Sequence, residues 1–476
     1  QRVKPINRLD DGATISASVT IGPFQPVEHA EDAIVTGLEV TVGEVLTSFH
    51  AATAFNMQWA LRGGKSAFEV TEGVPRRLAA GGRGGAGARC AGTHDDGAGA
   101  RRGGARGRGG AVCAGGVRAR SFRGGARGVN ASGRSAARRT LSGLCEVLGE
   151  ASAIPARGAH SVTVPGAVDG WATLHQRFGR LPWADVFAPA IALARQGYTV
   201  GPVTAQWWQR AAREVGAASE VAGQLDEFRA TFTVNGVAPM AGDLFCNPAL
   251  AETFERLAQR GRAGFYEGEF GQRIIDTVNA VGGVLERDDL LRRHAEWVTP
   301  ITTQYRGHEI CALPPNGQGA SVLQMLNILE GFVPTTPDSA DWWHCYVEAK
   351  KLAFADRARY YADPAFAHAP LERLLDKAYA NERRALIDPQ RARGDYTHGA
   401  VPGSDTTYLA TADADGMMVS LIQSIFNPFG SALVVPRAGF ALQSRGAGFA
   451  LDPTHPNAYQ PGKRPFHTIM PGFGLK

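Results

Sequence analysis

Cysteine and long apolar runs are scarce in this chain of 476 residues, and each shortage excludes a class of protein. The six cysteines, Cys90, Cys113, Cys145, Cys246, Cys311 and Cys345, are scattered without metal-ligand spacing. A chain long enough to bury a large core needs no disulfide framework, so buried free thiols are expected. No run of eighteen apolar residues occurs, which excludes a membrane-spanning helix. The start, QRVKPINRLDDG, has a basic end followed by no apolar stretch, so no secretory signal is visible and a cytoplasmic location is favoured. An initiator methionine is also missing, which fits a leader removed or never included.

The net charge of +5 comes from one segment. Residues 76–140 hold 15 Arg and only two acids, Asp95 and Asp96, for a charge of +13, so the remainder sums to −8. No general basic surface calls for nucleic acid. The same 65 residues include 19 Gly and 15 Ala, with Phe122 the one aromatic, and show neither a helical nor a strand period. Such a composition buries too little apolar surface to offset the entropy of ordering. A flexible linker, an RNA-binding segment of RGG type and an out-of-frame reading of GC-rich codons all fit it. The near absence of aromatics weighs against RNA, and the Arg content favours the frame error over the linker.

Periodic segments return after about Ala159. SVTVPGAVDGWATLHQRFGRLPWADVFAPAIALARQGY predicts two helices with a break at Gly-Arg-Leu-Pro, Pro182 in the second helix's first turn and Gly197 at its end. GASVLQMLNILEGF predicts a helix with Val322, Met325, Leu326 and Leu329 on its apolar face, stopped at Gly331. DSADWWHCYVEAKKLAFADRARYYADP predicts a longer helix with an Asp or Ser cap and a stop at Asp363-Pro364. Its Glu348–Lys351 and Asp356–Arg359 spacings read as packing clamps rather than catalytic groups. The LPPNGQGAS loop, Leu313 to Ser321, can be an anion-holding helix entry or a plain tight turn.

The stretch GSDTTYLATADADG, Gly403 to Gly416, places two hydroxyls at the start of an alternating strand. With the Asp-Gly turn and MMVSLIQSI it predicts a β-hairpin, and further strands are expected in ALVVPRAGFALQS. A threonine pair alone is an ordinary strand start.

Flanking motifs change that reading. FYEGEF, GGVLERDDL, YRGHEICALPPNGQGASVLQMLNILEGF, EAKKLAFADRARYYADP and SDTTYLATADADGMMVSLIQSIFNPFGSALVVP occur in order, with a weaker trace at ALRGGKSAFEV. Together, over about residues 160–476, they resemble the γ-glutamyltranspeptidase family, and more closely its branch of cephalosporin acylases and oxamate amidohydrolase-like proteins. The resemblance implies an α+β fold, the four-layer αββα sandwich of N-terminal nucleophile hydrolases. It implies a precursor cut between Asp405 and Thr406, with 1–405 the large-subunit region and 406–476 the start of the small catalytic subunit. Two subunits from one precursor, a dimer of such pairs, a small-molecule amide substrate and no metal or organic cofactor are expected. Thr406 would be the nucleophile, with its freed α-amine as base. Ser424 stands where the family keeps a hydroxyl that hydrogen-bonds that threonine, while Thr407 has no assigned role.

Substrate-reading positions depart from a γ-glutamyl enzyme. Phe426 falls where an Asn is expected, with Asn427 one place away. Arg445 and Gly448 replace a polar residue and an acid, and His467 and Thr468 replace paired serines. Arg445, Asn427, His467 and Thr468 are the substrate-binding candidates, and an acid lost with an Arg gained suggests a pocket for a carboxylate without an ammonium beside it. The family's substrate-binding Arg has no clear counterpart near the Arg/Gly segment, and its Gly-Gly oxyanion loop would fall beyond Lys476. The chain as written is therefore expected to process and turn over poorly.

Overall fold

A computed structural model describes residues 56–62, 126–333 except 222 and 224, 339–394, 405–412 and 417–475, with only the backbone given for 56–62, 405 and 406. The strands are β1 (Asn56–Arg62), β2 (Ala126–Ala131), β3 (Tyr198–Thr199), β4 (Leu244–Phe245), β5 (Glu296–Val298), β6 (Ile301–Tyr305), β7 (His308–Ala312), β8 (Asp405–Ala412), β9 (Met418–Phe426) and β10 (Gly472–Leu475). One antiparallel sheet runs β5-β2-β1-β9-β8 and a second runs β10-β7-β6.

Period-two alternation assigns the two faces of the larger sheet. Val129, Ala131, Val419, Leu421 and Ile425 pack with Ala167 and Leu174 of the Ala167–Phe178 helix. From the opposite face, Ala126 and Met418 meet Cys311, Leu313 and Phe473 of the smaller sheet and its flanks. Gly128 makes this approach possible, since a Cβ there would lie 2.3 Å from the Leu313 side chain. The smaller sheet's outer side is covered by the Gly319–Leu329 helix, with Thr303 Oγ1 donating to Asn327 Oδ1 at 2.6 Å. The Ala340–Tyr360 helix packs outside that one. The order is helix, sheet, sheet, helix: the four-layer αββα sandwich expected.

A larger helical body adjoins it. The Trp183–Gln196, Pro202–Gly216, Leu225–Phe232, Pro248–Arg260 and Gly268–Asn279 helices share a core with Phe429, Leu433, Val435, Phe440 and Leu442. The segment after β9 thus leaves the sheet, buries its apolar residues among helices and returns at Ser444, whose N–H donates to Ile425 O at 3.0 Å. ALVVPRAGFALQS therefore forms only the isolated Val434–Ala441 bridge instead of paired strands.

The two helices around Gly-Arg-Leu-Pro are present, with Pro182 as N-cap and Gly197 as C-cap at φ 82°. Ser339 caps the long helix, its side chain accepting from Trp342 N. The apolar face of the Gly319–Leu329 helix differs from expectation. Leu323 and Ile328 are core residues while Val322 and Leu326 are half-buried, because layers on both sides bury the helix nearly all round. Lys351 Nζ reaches Glu348 Oε1 at 2.6 Å as expected, but Asp356 pairs with Arg383 at 3.3 Å instead of Arg359. Among the described cysteines only Cys311 is buried. Cys145 and Cys345 are half-buried, Cys246 is exposed, and Cys90 and Cys113 lie outside the described residues. Residues 126–140, the end of the stretch that lacks a period, form β2 and the loop into the Leu141–Leu148 helix. The rest of that stretch, 76–125, and the Asp-Gly turn at 413–416 lie outside the described residues.

One buried acid ties the layers together. Asp169, fully buried on the Ala167–Phe178 helix, accepts from Arg262 Nε at 2.5 Å and from the backbone N–H groups of His294 and Ala295 at 2.5 and 2.8 Å. It thereby anchors the entry to β5, at the edge of the larger sheet. Asp169→Ala strands the Arg262 charge and two amide donors, and should cost about 3–5 kcal/mol in urea unfolding. A loss under about 1 kcal/mol would mean that this clamp holds nothing.

Candidate active site

The start of β8 and the end of β9 meet with a break in register. Asp405 pairs with Phe426, yet Thr407 pairs with Gln423. Two residues of β9, Ser424 and Ile425, therefore oppose the single residue Thr406. A β-bulge of this kind bends the strand, re-aims side chains and is common beside active sites. Ser424 is buried, and Phe426 N–H donates to its Oγ at 2.9 Å. Phe426 itself adopts φ 81°, rare for a residue with a bulky side chain, and Phe429 and Ala432 follow at 58° and 64°. Left-handed residues clustered at the end of a core strand mark a geometry imposed by surroundings. Arg157 imposes part of it, Nη1 donating to Pro428 O at 2.6 Å and Gly430 O at 2.5 Å.

The returning segment brings the other candidates here. Asn427 Nδ2 donates to Ser444 Oγ at 3.2 Å. Beside Ser444, Arg445 is 1% exposed, and its guanidinium lies 4.9 Å from the Phe426 ring centroid. Its Nη1 donates to Thr468 Oγ1 at 3.1 Å, and its backbone N–H donates to Gln443 Oε1. Gln443 is fixed in turn through Nε2 to Thr163 O and Oγ1 at 2.7 and 2.6 Å. Nε and Nη2 of Arg445 are buried and find no acceptor among the described residues. Burial pushes this guanidinium down to about 9.

His467 is fully buried, its Nδ1 3.4 Å from Ser132 Oγ and its backbone N–H donating to Asn316 O at 2.8 Å. Burial, with Arg445 and Arg464 nearby, holds its imidazole well below the ordinary range, so the ring is neutral. Gly448 contributes only a carbonyl, which accepts from Asn457 Nδ2 at 2.6 Å. In the LPPNGQGAS loop, Asn316 is spent on structure, accepting from Asn130 Nδ2 at 2.8 Å and donating to Pro465 O at 2.7 Å. Ser424 thus opposes the Thr406 backbone across the register break, Arg445 lies against Phe426 and reaches Thr468, Asn427 joins Ser444, and His467 sits with Ser132 and Asn316. Ser132, Gln443 and Arg157 are additions from the structure. Ser132 lies in the composition-biased stretch, and Gln443 and Arg157 act on neighbours whose proximity only folding reveals.

A buried cation with no counter-charge among the described residues is costly to fold. Because the folded state depresses this group, folding is penalised wherever both states would bind the proton, and the penalty fades as pH rises from about 9 toward 12.5. Arg445→Met should therefore raise stability at pH 7 by about 1–4 kcal/mol, read as a higher urea midpoint. That gain should shrink above pH 9. A destabilised Met variant would show that Arg445 has a structural partner.

The chain is similar to known proteins over most of its length. The family model Gamma-glutamyltranspeptidase matches residues 117–476. The chain is 39% identical over 356 residues to the Glutathione hydrolase-like YwrD proenzyme of Bacillus subtilis, covering 73% of this chain and 64% of that protein. It is 38% identical to the Acylase ACY 1 proenzyme of a Pseudomonas species, strain SE83, covering 67% and 57% respectively. The crystal structure of cephalosporin acylase from Bacillus halodurans superposes with a TM-score of 0.71 at 33% identity, over 93% of this chain and 73% of that one. The chain thus spans about three-fifths of the length of these two curated relatives. On the match of its last three-quarters, the chain belongs to the gamma-glutamyltranspeptidase family.

Proposed function

We propose that this protein is a self-processing amidohydrolase or acyltransferase whose nucleophile is Thr406. The observation that carries the reading is the register break that sets the Thr406 backbone opposite Ser424 and Ile425, at the start of a strand in a two-sheet core. That its relatives include two named as proenzymes supports it.

The chemistry follows from a hydroxyl placed one bond from the peptide it must break. Thr406 Oγ1 attacks the Asp405 carbonyl carbon, the C–N bond breaks, and the nitrogen leaves as the Thr406 α-amine with the hydroxyl proton. Water then opens the Asp405–Thr406 ester, giving a carboxylate on one chain and a free threonine on the other. The new amine, with a pKa of about 7.7–8.0, is suited to accept the hydroxyl proton near neutrality. In turnover the same oxygen attacks an amide carbonyl, the amine component leaves with that proton, and the acyl ester passes to water or to a second amine. Ser424, its Oγ fixed by the Phe426 N–H, is the positioning hydroxyl. γ-Glutamyl amides, glutathione among them, and related dicarboxylic acyl amides are the substrate range this reading covers. The two pieces stay together as large and small subunits, with a dimer of such pairs as the proposed assembly.

Cleavage releases a 71-residue piece beginning at Thr406. Thr406→Ala should give neither that piece by mass spectrometry nor amide hydrolysis, and an active Thr406→Ala protein would end the assignment. Ser424→Ala should slow both cleavage and turnover about 10–100-fold, with Ser424→Thr restoring most of each. Equal loss in both variants would mean that Ser424 only packs.

A further inference from the structure

We propose that the cleft bounded by the Pro248–Arg260 helix, the Gly268–Asn279 helix and the turn at 435–438 binds a phosphate dianion, carried by a small phosphate ester or present as free phosphate. None of its residues belongs to the site at Thr406, so the inference stands apart from the nucleophile assignment.

Three observations carry it. The first is a cavity of about 350 Å³ lined by Arg256, Arg260, Arg273 and Arg437. Glu252, Glu255 and Glu269 also line it, but Glu255 is already paired with Arg195 at 2.6 Å. The cavity therefore holds an excess of two positive charges, four arginines against Glu252 and Glu269. The second is what the helix charges do not do. Glu252 with Arg256, and Glu269 with Arg273, have the i, i+4 spacing of helical ion pairs. Among the described residues neither pair closes to within 4 Å; both guanidiniums lie instead against one ring, Phe270, at 5.5 and 4.7 Å from its centroid. Burial, with Arg256 and Arg437 nearby, depresses Arg273 by more than Glu269 and Glu252 restore. The third is the turn. Ala438 N–H donates to Val435 O at 3.1 Å, with Pro436 and Arg437 between them. Arg437 adopts φ 55° where a turn of this kind ordinarily carries Gly or Asn. The helices fix the turn, Arg273 Nη1 donating to Pro436 O and Thr253 Oγ1 to Ala438 O, each at 2.8 Å. A long cationic side chain is thus held at a strained position on a cavity that already has positive charge to spare.

A phosphate ester answers each feature. Its charge of about −1.5 to −2 near pH 7 balances the excess. Its three terminal oxygens match forked N–H donors from more than one guanidinium. The cavity is larger than a phosphate group, which leaves room for an organic part whose hydroxyls can donate to Glu252 and Glu269. Arg437 and the other three arginines stand on opposite sides of the Asp405–Thr406 bond in the chain, so the bound anion also ties those two segments together.

Calorimetric titration of the full chain at low ionic strength with inorganic phosphate, ribose 5-phosphate and succinate tests this. Both phosphates should bind at least about tenfold more tightly than succinate, a dianion whose charge is split between two separate carboxylates. Tighter binding of ribose 5-phosphate than of phosphate makes the ester the occupant; otherwise the occupant is free phosphate. Arg437→Gly and Arg256→Gln should each lose about 10–100-fold of the affinity, while Arg213→Gln, at an exposed arginine outside this cavity, should keep it. Arg437→Gly also separates binding from folding, because Gly relieves the turn at φ 55°. Its urea midpoint without ligand should equal or exceed that of the parent, and the rise that ribose 5-phosphate gives the parent should vanish. Absence of binding, binding that persists in both cavity variants, an equal loss in Arg213→Gln, or succinate bound as tightly as phosphate overturns the proposal. Thr406→Ala should titrate with the parent's affinity, so a failure of the nucleophile assignment leaves this result standing.

Discussion

The arrangement of this protein turns on the mismatch between β8 and β9. A regular antiparallel ladder would give Thr406 one partner, but two residues oppose it. Release from strict pairing suits the proposed attack on the peptide bond that precedes Thr406. The mismatch needs support from outside the hairpin. β9 is held in the middle of the larger sheet by β1, and its odd-numbered side chains are buried against the Ala167–Phe178 helix. The end of β9 is fixed by the Ser424–Phe426 contact, by Arg157 gripping the next carbonyls, and by the return of the chain at Ser444. The helical body thus has a direct bearing on the site, because the loop that carries Arg445 back to the sheet is first packed into that body's core.

Arg445 is a burden on the fold. Its guanidinium is buried with two donors that meet no acceptor among the described residues, and the desolvation of an unpaired cation costs on the order of several kcal/mol. Near it, His467 is kept neutral and Gly448 offers only a backbone carbonyl, so the local field is left positive. The neighbourhood of Asp169 is the opposite case. There a buried charge is paired and fully hydrogen-bonded, and its role is to hold the Ala167–Phe178 helix to the strand entry at His294 and Ala295.

Much of the fold was legible in the sequence because helix periods, caps and the hairpin are local signals. Pro182, Gly197 and Ser339 stand at the helix ends their chemistry predicts. The failures have a common cause in layering. The Gly319–Leu329 helix is buried on nearly all sides, so its one-face reading picked Val322 and Leu326 over Leu323 and Ile328. β2 was not legible because Gly128, whose missing side chain lets Leu313 approach, and its other small residues lower the apolar content a composition rule looks for. ALVVPRAGFALQS has strand-like residues but is buried among helices. For the site, ordered motifs pointed to Thr406, Ser424, Arg445, His467 and Thr468. Ser132, Gln443 and Arg157 could not be found that way, since each acts on a partner more than a hundred residues distant: His467, Thr163 and Pro428 respectively.

The central claim is that one oxygen, Thr406 Oγ1, carries both the self-cleavage and the acyl group in turnover. Acid-quenching the processed protein during hydrolysis of an acyl anilide, then mapping the mass of the fragment that begins at Thr406, tests it most directly. The account predicts an adduct equal to the acyl group on residue 406, absent without substrate and lost when hydroxylamine is added. Turnover with the acyl group trapped on another residue, Ser424 or any cysteine included, would contradict it.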